Sequence, residues 1–134
     1  QVQVQRAGGE GFRHNEINPD DSENHMIQLW VMPDDAGEPA GYQVFDPKVG
    51  ERQRILGGDR GNGETLYGKT NIEVAKLRAG DSLKHGTHVM AYLPKGAGVV
   101  NGEAITARTM IRSKTGIEFE ASEDSLLILI HEDI

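Results

Sequence analysis

Apolar and polar residues alternate with a period of two along most of this chain. Val2 and Val4 alternate with Gln1, Gln3 and Gln5; Ile27, Leu29 and Val31 with Met26, Gln28, Trp30 and Met32; Ile117 and Phe119 with Glu118 and Glu120. That period places one set of side chains on a core face and the other on a wetter face, the pattern of a half-buried strand. Ser125-Leu126-Leu127-Ile128-Leu129-Ile130 is instead unbroken, and predicts a strand buried on both faces, with a buried helix turn as the alternative. Asn101-Gly102, between Val99-Val100 and Ala104-Ile105, supplies the two positive-φ positions of a type I′ hairpin turn. Further punctuation falls at Ala79-Gly80-Asp81, Pro94-Lys95-Gly96, Lys114-Thr115-Gly116 and Ser122-Glu123-Asp124. From residue 66 onward the strand-like runs recur at roughly the 8–12-residue spacing of a sandwich or barrel. No segment sustains a 3.6 period with caps, so the chain is predicted to be all-β.

The 134 residues suffice for a core without staples, since a chain of this size buries about 68–70% of its unfolded surface. The absence of cysteine excludes disulfide frameworks, thiolate zinc sites, Fe–S clusters and Cys nucleophiles. It is compatible with a reducing compartment, and a cytoplasmic location is the expectation. Fourteen Lys and Arg against 21 Asp and Glu give a net charge of −7, which argues against nucleic acid or an anionic membrane as a direct partner. No apolar run approaches the ~20 residues of a membrane span. Residues 1–32 and 66–134 read as two strand-rich blocks, joined from Pro33 to Glu64 by a less regular stretch that is softest at 34–41 and 57–64. The chain begins with Gln1 rather than Met, and an upstream portion is therefore expected.

The residues that could carry chemistry are few. In Arg13-His14-Asn15-Glu16 an extended backbone projects His14 and Glu16 from one face, roughly 6.6–7 Å apart along the strand. An imidazole and a carboxylate so placed can converge on one divalent cation, of the Fe, Mn, Zn, Ni or Cu kind rather than Ca or Mg. Taken alone the pair is one or two ligands short of a usual site and reads as a solvated surface pair. His85 and His88 stand three apart, so their rings face opposite sides of a strand unless Gly86 bends it, and they read as a polar strand start beside a barrel mouth. His25 and His131, the latter in a charged tail, read as solvated. The glycine-rich 57–64 lacks the Lys-Ser/Thr of a phosphate loop and no helix signal follows it. The acidic stretch 19–24 lacks the alternating carboxylates of a calcium loop, and no Gly-x-Ser-x-Gly elbow nominates a nucleophile.

Residues 7–33 resemble the pirin family of two-domain cupins. That family's first cupin ends with a stretch similar to Ala-Gly-x-Gly-x-x-His-Ser-Glu-x-Asn, followed by a strand similar to Leu-Gln-x-Trp-(Ile/Val)-x-Pro. Here Ala7-Gly8-Gly9-Glu10-Gly11-Phe12-Arg13-His14-Asn15-Glu16-Ile17-Asn18 carries one extra residue between the first glycine and the next, and Asn15 in place of Ser. Ile27-Gln28-Leu29-Trp30-Val31-Met32-Pro33 matches well. Tyr42 to Asp46 resembles the linker, and 66–134, with Val99-Val100-Asn101-Gly102, resembles the second cupin.

The resemblance implies a cupin fold (a double-stranded β-helix or jelly-roll-like barrel), divided as follows. Residues 1–33 would be the C-terminal part of a first cupin, 34–65 linker and loops, and 66–134 a complete second cupin barrel without a metal. The family's first cupin binds one metal through three His and one Glu. His14 and Glu16 match the third His and the Glu; the Gly-Thr-His-Pro-His type segment that supplies the other two His has no counterpart here. The implied cofactor is a divalent transition metal, iron first, with Cu, Mn, Ni or Zn as alternatives, in an incomplete site. The implied activity of the intact parent is quercetin 2,3-dioxygenase-type oxidation of a flavonol-like small molecule, with Glu16 as the catalytic base, and the chain alone is expected to be inactive. The alternative is a non-catalytic metal-binding regulatory cupin, since animal members are associated with an iron-dependent nuclear co-regulator role. Strands at 2–4 and 27–31 would leave unpaired edges, so residues 1–32 should be covered by folding back on the second barrel or, as the preferred expectation, by a second copy in a homodimer.

Overall fold

The structure is a computed structural model that describes residues 1–132. Among these residues there are eleven strands and no helix. They are β1 (Val2–Arg6), β2 (Gly41–Phe45), β3 (Arg52–Gly58), β4 (Gly68–Leu77), β5 (Ser82–His85), β6 (Val89–Lys95), β7 (Ala97–Val100), β8 (Glu103–Thr106), β9 (Thr109–Ser113), β10 (Ile117–Ala121) and β11 (Ser125–Glu132). They form a five-stranded sheet in the order β3-β4-β11-β6-β9, a four-stranded sheet β5-β10-β7-β8, and a two-stranded β1-β2 pair, all antiparallel.

Strand parity divides the apolar residues between two cores. Ala75 and Leu77 of β4, Val89, Ala91 and Leu93 of β6, and Leu127 and Leu129 of β11 face the four-stranded sheet, where Leu83, Val100, Ile117, Phe119 and Ala121 meet them. The opposite parity, Ile72, Val74 and Ile128, faces outward and is joined by Ile55 of β3. Val2 and Val4 of β1 and Phe45 of β2 cover this outer layer. β11 is therefore buried on both faces, as its unbroken apolar run predicts; it pairs with β4 from Ser125↔Leu77 to Glu132↔Thr70. The Asn101-Gly102 turn joins β7 to β8 with φ of +48° and +87°, the two left-handed positions that a type I′ turn requires. The four other turn signals each fall between consecutive strands or at their ends.

Three expectations are corrected. The alternation at Ile27–Met32 does not produce a strand: this stretch has no regular structure, and Trp30 and Met32 are 91% and 86% exposed. Period two creates a half-buried strand only where a neighbouring strand satisfies the backbone, and none lies beside it among the described residues. Of the strand-rich block expected at 1–32, only β1 forms. Residues 34–65, read as linker and loops, contain β2 and β3, and β3 is an integral edge of the five-stranded sheet. Of the two coverings expected for the start of the chain, Val2 and Val4 of β1 show the first, folded back on this chain's own outer sheet face.

The long excursion between β1 and β2 is fastened at its base. Arg6 Nε donates to the Pro39 carbonyl (2.9 Å), Gly9 N to the Glu38 carbonyl (3.1 Å), and Lys69 N to Asp34 Oδ2 (2.7 Å). The inner core is filled around Phe119, which is 1% exposed and packs against the backbone of Gly98. A Cβ at Gly98 would lie 2.3 Å from the Glu120 carbonyl oxygen and 2.6 Å from the Phe119 ring. Gly98→Ala should therefore destabilise the fold by about 1–3 kcal/mol, the usual cost of overpacking, as read by urea unfolding. Phe119→Ala should cost more, about 3–5 kcal/mol.

Candidate metal centre

Among the described residues two places bring metal-ligating side chains together, and only the first was visible in the sequence. His14 and Glu16 lie in the irregular stretch after β1, with His14 Nε2 3.7 Å from Glu16 Oε1. No strand is formed there, so the expected extended ladder is absent, but the predicted approach of ring and carboxylate is present. Gln28 Nε2 donates to the same Glu16 Oε1 (2.8 Å), which ties the Ile27–Pro33 stretch to the pair. The Phe12 ring lies against His14, with centroids 5.2 Å apart. Both polar side chains are close to half exposed, at 46% and 42%. Beside them is an open cavity of about 370 Å³ lined by Gln5, Phe12, Arg13, His14, Gly41 and Tyr42 among others. Metal–ligand bonds of about 2.0–2.2 Å place adjacent donors roughly 3–3.5 Å apart, so the pair fits one divalent ion with little movement, as two of its ligands.

The second place is the mouth of the barrel. Glu73, His85 and His131 each present one ligand atom, and these atoms lie within 4.8 Å of one another. Parity explains the meeting: Glu73 continues the inward row of Ala75 and Leu77, and His131 continues that of Leu127 and Leu129. His85 ends β5 on the facing sheet, two residues beyond inward Leu83. His131 Nε2 is 3.0 Å from Glu73 Oε2, and the two imidazole rings lie with centroids 4.4 Å apart.

Arg52, from edge strand β3, reaches into the same cluster. Its Nε donates to Glu73 Oε2 (2.8 Å), and its Nη2 donates to the same oxygen and lies 3.0 Å from His85 Nδ1. Nη1 donates to the Lys84 carbonyl (3.1 Å), so one guanidinium spans the edges of both sheets. Burial pushes the Glu73 carboxyl up, but the hydrogen bond and charge of Arg52, with His131 adding to them, outweigh it and hold it below its ordinary value.

His131 thus corrects its reading as a solvated tail residue: it is 8% exposed and faces the barrel interior. His85 and His88 do not join in one cluster, as expected; His85 turns to Glu73 and His131, while His88 lines an adjoining cavity of about 310 Å³ with Met90, Arg112 and His131. Glu73 and Arg52 were missed by motif reading. The available signal was parity, because a carboxylate in the inward row of Ile72-Glu73-Val74-Ala75-Lys76-Leu77 is anomalous unless it has a partner.

No protein-family model matches the chain. A Pseudomonas aeruginosa protein whose name provisionally assigns it quercetin 2,3-dioxygenase activity is 31% identical over 142 aligned positions, covering 96% of this chain and 60% of that protein. The structure of YhhW from Escherichia coli superposes with a TM-score of 0.63 at 22% identity, covering 78% of this chain and 48% of YhhW. A second structure of that bacterial pirin, in complex with nickel(II), gives 0.63 at 20% identity, covering 78% of this chain and 49% of the other. The chain therefore spans 60% of its curated relative and about half of YhhW. Two facing antiparallel sheets closed around an apolar interior give the chain a cupin fold. Sequence and fold point the same way: the chain is similar to the pirin-type cupins.

The Glu73–Arg52 pair yields a stability prediction. Glu73→Gln leaves Arg52 without its anionic acceptor and should cost about 1.5–3 kcal/mol, the range for hydrogen bonds to charged groups. Because the folded Glu73 carboxyl lies below its ordinary value, its contribution is complete above the unfolded carboxylate range and is lost as pH falls through the folded value. Thermal melts from about neutral to about pH 3 should show a smaller acid loss in Glu73→Gln than in the wild type.

Proposed function

We propose that the protein carrying this chain oxidises a flavonol-like small molecule with dioxygen at a divalent transition metal, and that His14 and Glu16 are two of the metal's ligands. The observation that carries this reading is the 3.7 Å approach of His14 Nε2 to Glu16 Oε1 at the wall of a cavity. The provisional name of the Pseudomonas aeruginosa relative supports the reaction class. The remaining ligands on this reading are contributed from outside these 134 residues or by substrate and water.

When bound, an iron-class metal supplies the redox chemistry and a Lewis-acid anchor for an oxygen ligand. The chain's own residues do the rest. Glu16 accepts the proton of a flavonol hydroxyl, and its remaining oxygen leaves room for that second role. The Gln28 N–H orients the Glu16 carboxylate, and the Phe12 ring restrains the His14 imidazole. Phe12 and Tyr42 give the adjoining cavity aromatic walls suited to a planar ring system. Its volume falls within the ~300–1,000 Å³ usual for small-molecule sites.

The test is oxygen consumption with quercetin as the probe, by the intact gene product that carries these residues, loaded in turn with Fe, Cu, Mn, Ni and Zn. Activity should appear with at least one redox-active metal and fall by about 10²–10⁴ in Glu16→Gln, the usual share of a general base. His14→Ala should weaken metal retention in the same preparation. Stoichiometric metal without oxygen uptake would favour the non-catalytic binding role, and full activity in both variants would remove these residues from the site. In the 134-residue chain by itself, two donors cannot hold a metal firmly, so dialysis should remove it.

A further inference from the structure

The cluster at the barrel mouth has the composition of a metal site and a resident that is not a metal. Two imidazoles and a carboxylate suit first-row divalent ions, and three protein ligands with an open position are the usual number for a reactive site. Their ligand atoms lie within 4.8 Å of one another on three strands of a rigid barrel. Yet the atoms that a metal would use are those that Arg52 addresses. Glu73 Oε2 accepts from both Nε and Nη2 of Arg52, and His85 Nδ1 lies 3.0 Å from Nη2.

The chemistry of this contact fixes the proton positions. A guanidinium has donors and no acceptor, so His85 Nδ1 accepts from Arg52 and carries no proton. The His85 proton then sits on Nε2, 3.0 Å from Thr87 Oγ1. Glu73, ionised beside Arg52, is acceptor-only, so His131 Nε2 donates to it across 3.0 Å. Two of the three ligand groups are thus committed to a cation that cannot be neutralised by losing a proton, and the third, His131, to the carboxylate which that cation holds.

We propose that Arg52 is the resident cation of a latent metal site, holding the place of a divalent ion among Glu73, His85 and His131 and closing this barrel to metal. Replacing the guanidinium with a neutral side chain opens the three donors to zinc, cobalt or nickel. The guanidinium arm also crosses from β3 to β5 through the Lys84 carbonyl, so the same group that excludes metal fastens the edges of the two sheets. This assignment is independent of the role proposed for His14 and Glu16, which lie in the stretch between β1 and β2.

The experiment compares wild type, Arg52→Met and Arg52→Lys by titration with Zn(II), read by calorimetry and by imidazole NMR signals assigned to His14, His85 and His131. Arg52→Met should bind one more zinc than wild type, with the His85 and His131 signals moving together. Affinity at this place should rise at least about thirtyfold, the effect of removing one charge about 4 Å from a divalent ion even through water. Arg52→Met/His131→Ala should lose the added site, and Arg52→Lys, which keeps the charge, should resemble wild type. A folded Arg52→Met that gains no zinc would overturn the proposal. So would wild-type protein whose His85 and His131 signals shift at stoichiometric zinc. Should Arg52→Met fail to fold, that wild-type titration still decides: under excess zinc, movement confined to other histidines supports the proposal, and movement of His85 and His131 overturns it.

Discussion

Burial of β11 on both faces organises this structure. A strand with Leu127 and Leu129 on one side and Ile128 on the other must be covered twice, by the four-stranded sheet inside and by β1 and β2 outside. Its ladder with β4 sets which residues of that strand point inward, and with β6 it sets the third row of the inner core. A register slip of one residue would turn every one of these side chains to the opposite layer, so the two cores specify the same pairing. The mouth of the barrel inherits its composition from this ladder. Once Leu127 and Leu129 face inward, His131 has to, and once Ala75 and Leu77 do, so does Glu73.

An inward carboxylate and imidazole at the end of an apolar row have to be satisfied where they stand, since burying an unpaired charge costs several kcal/mol. Arg52 meets that requirement from an edge strand, which is where a long side chain can cross between sheets without passing through the packed interior. The cluster therefore joins electrostatics to architecture. The charge balance of the mouth and the closure of one seam of the barrel rest on one guanidinium.

The stretch between β1 and β2 obeys different physics. It carries the motif by which the chain resembles the pirin family, yet Trp30 and Met32 lie open and His14 and Glu16 are close to half exposed. What organises it is local: a hydrogen bond from Gln28, the ring of Phe12, and anchors through Arg6, Asp34 and Glu38 at its base. Donors held this way are close together but only lightly constrained, whereas those at the barrel mouth are set by strands on two packed sheets. Proximity of ligand residues and rigidity of a site are separate properties, and here they occur in different parts of one chain.

Short-range information sufficed for much of this. The type I′ turn at Asn101-Gly102 needs two left-handed residues in sequence, and the doubly buried β11 needs an unbroken apolar run, so each was legible from its own residues. The approach of His14 to Glu16 was legible for the same reason, because two residues of near-extended chain bring their side chains to one side. What alternation could not tell was whether a partner strand exists: Val2–Val4 found one in β2 and Ile27–Val31 did not. Nor could local pattern unite Arg52, Glu73, His85 and His131, which are brought together only when β3, β4, β5 and β11 take their places in two sheets. The sequence by itself determined the all-β class, the hairpin turn and the doubly buried last strand, because those depend on neighbours a few residues away. Only the tertiary structure decided which charges share the barrel mouth, because that depends on the register between strands tens of residues apart.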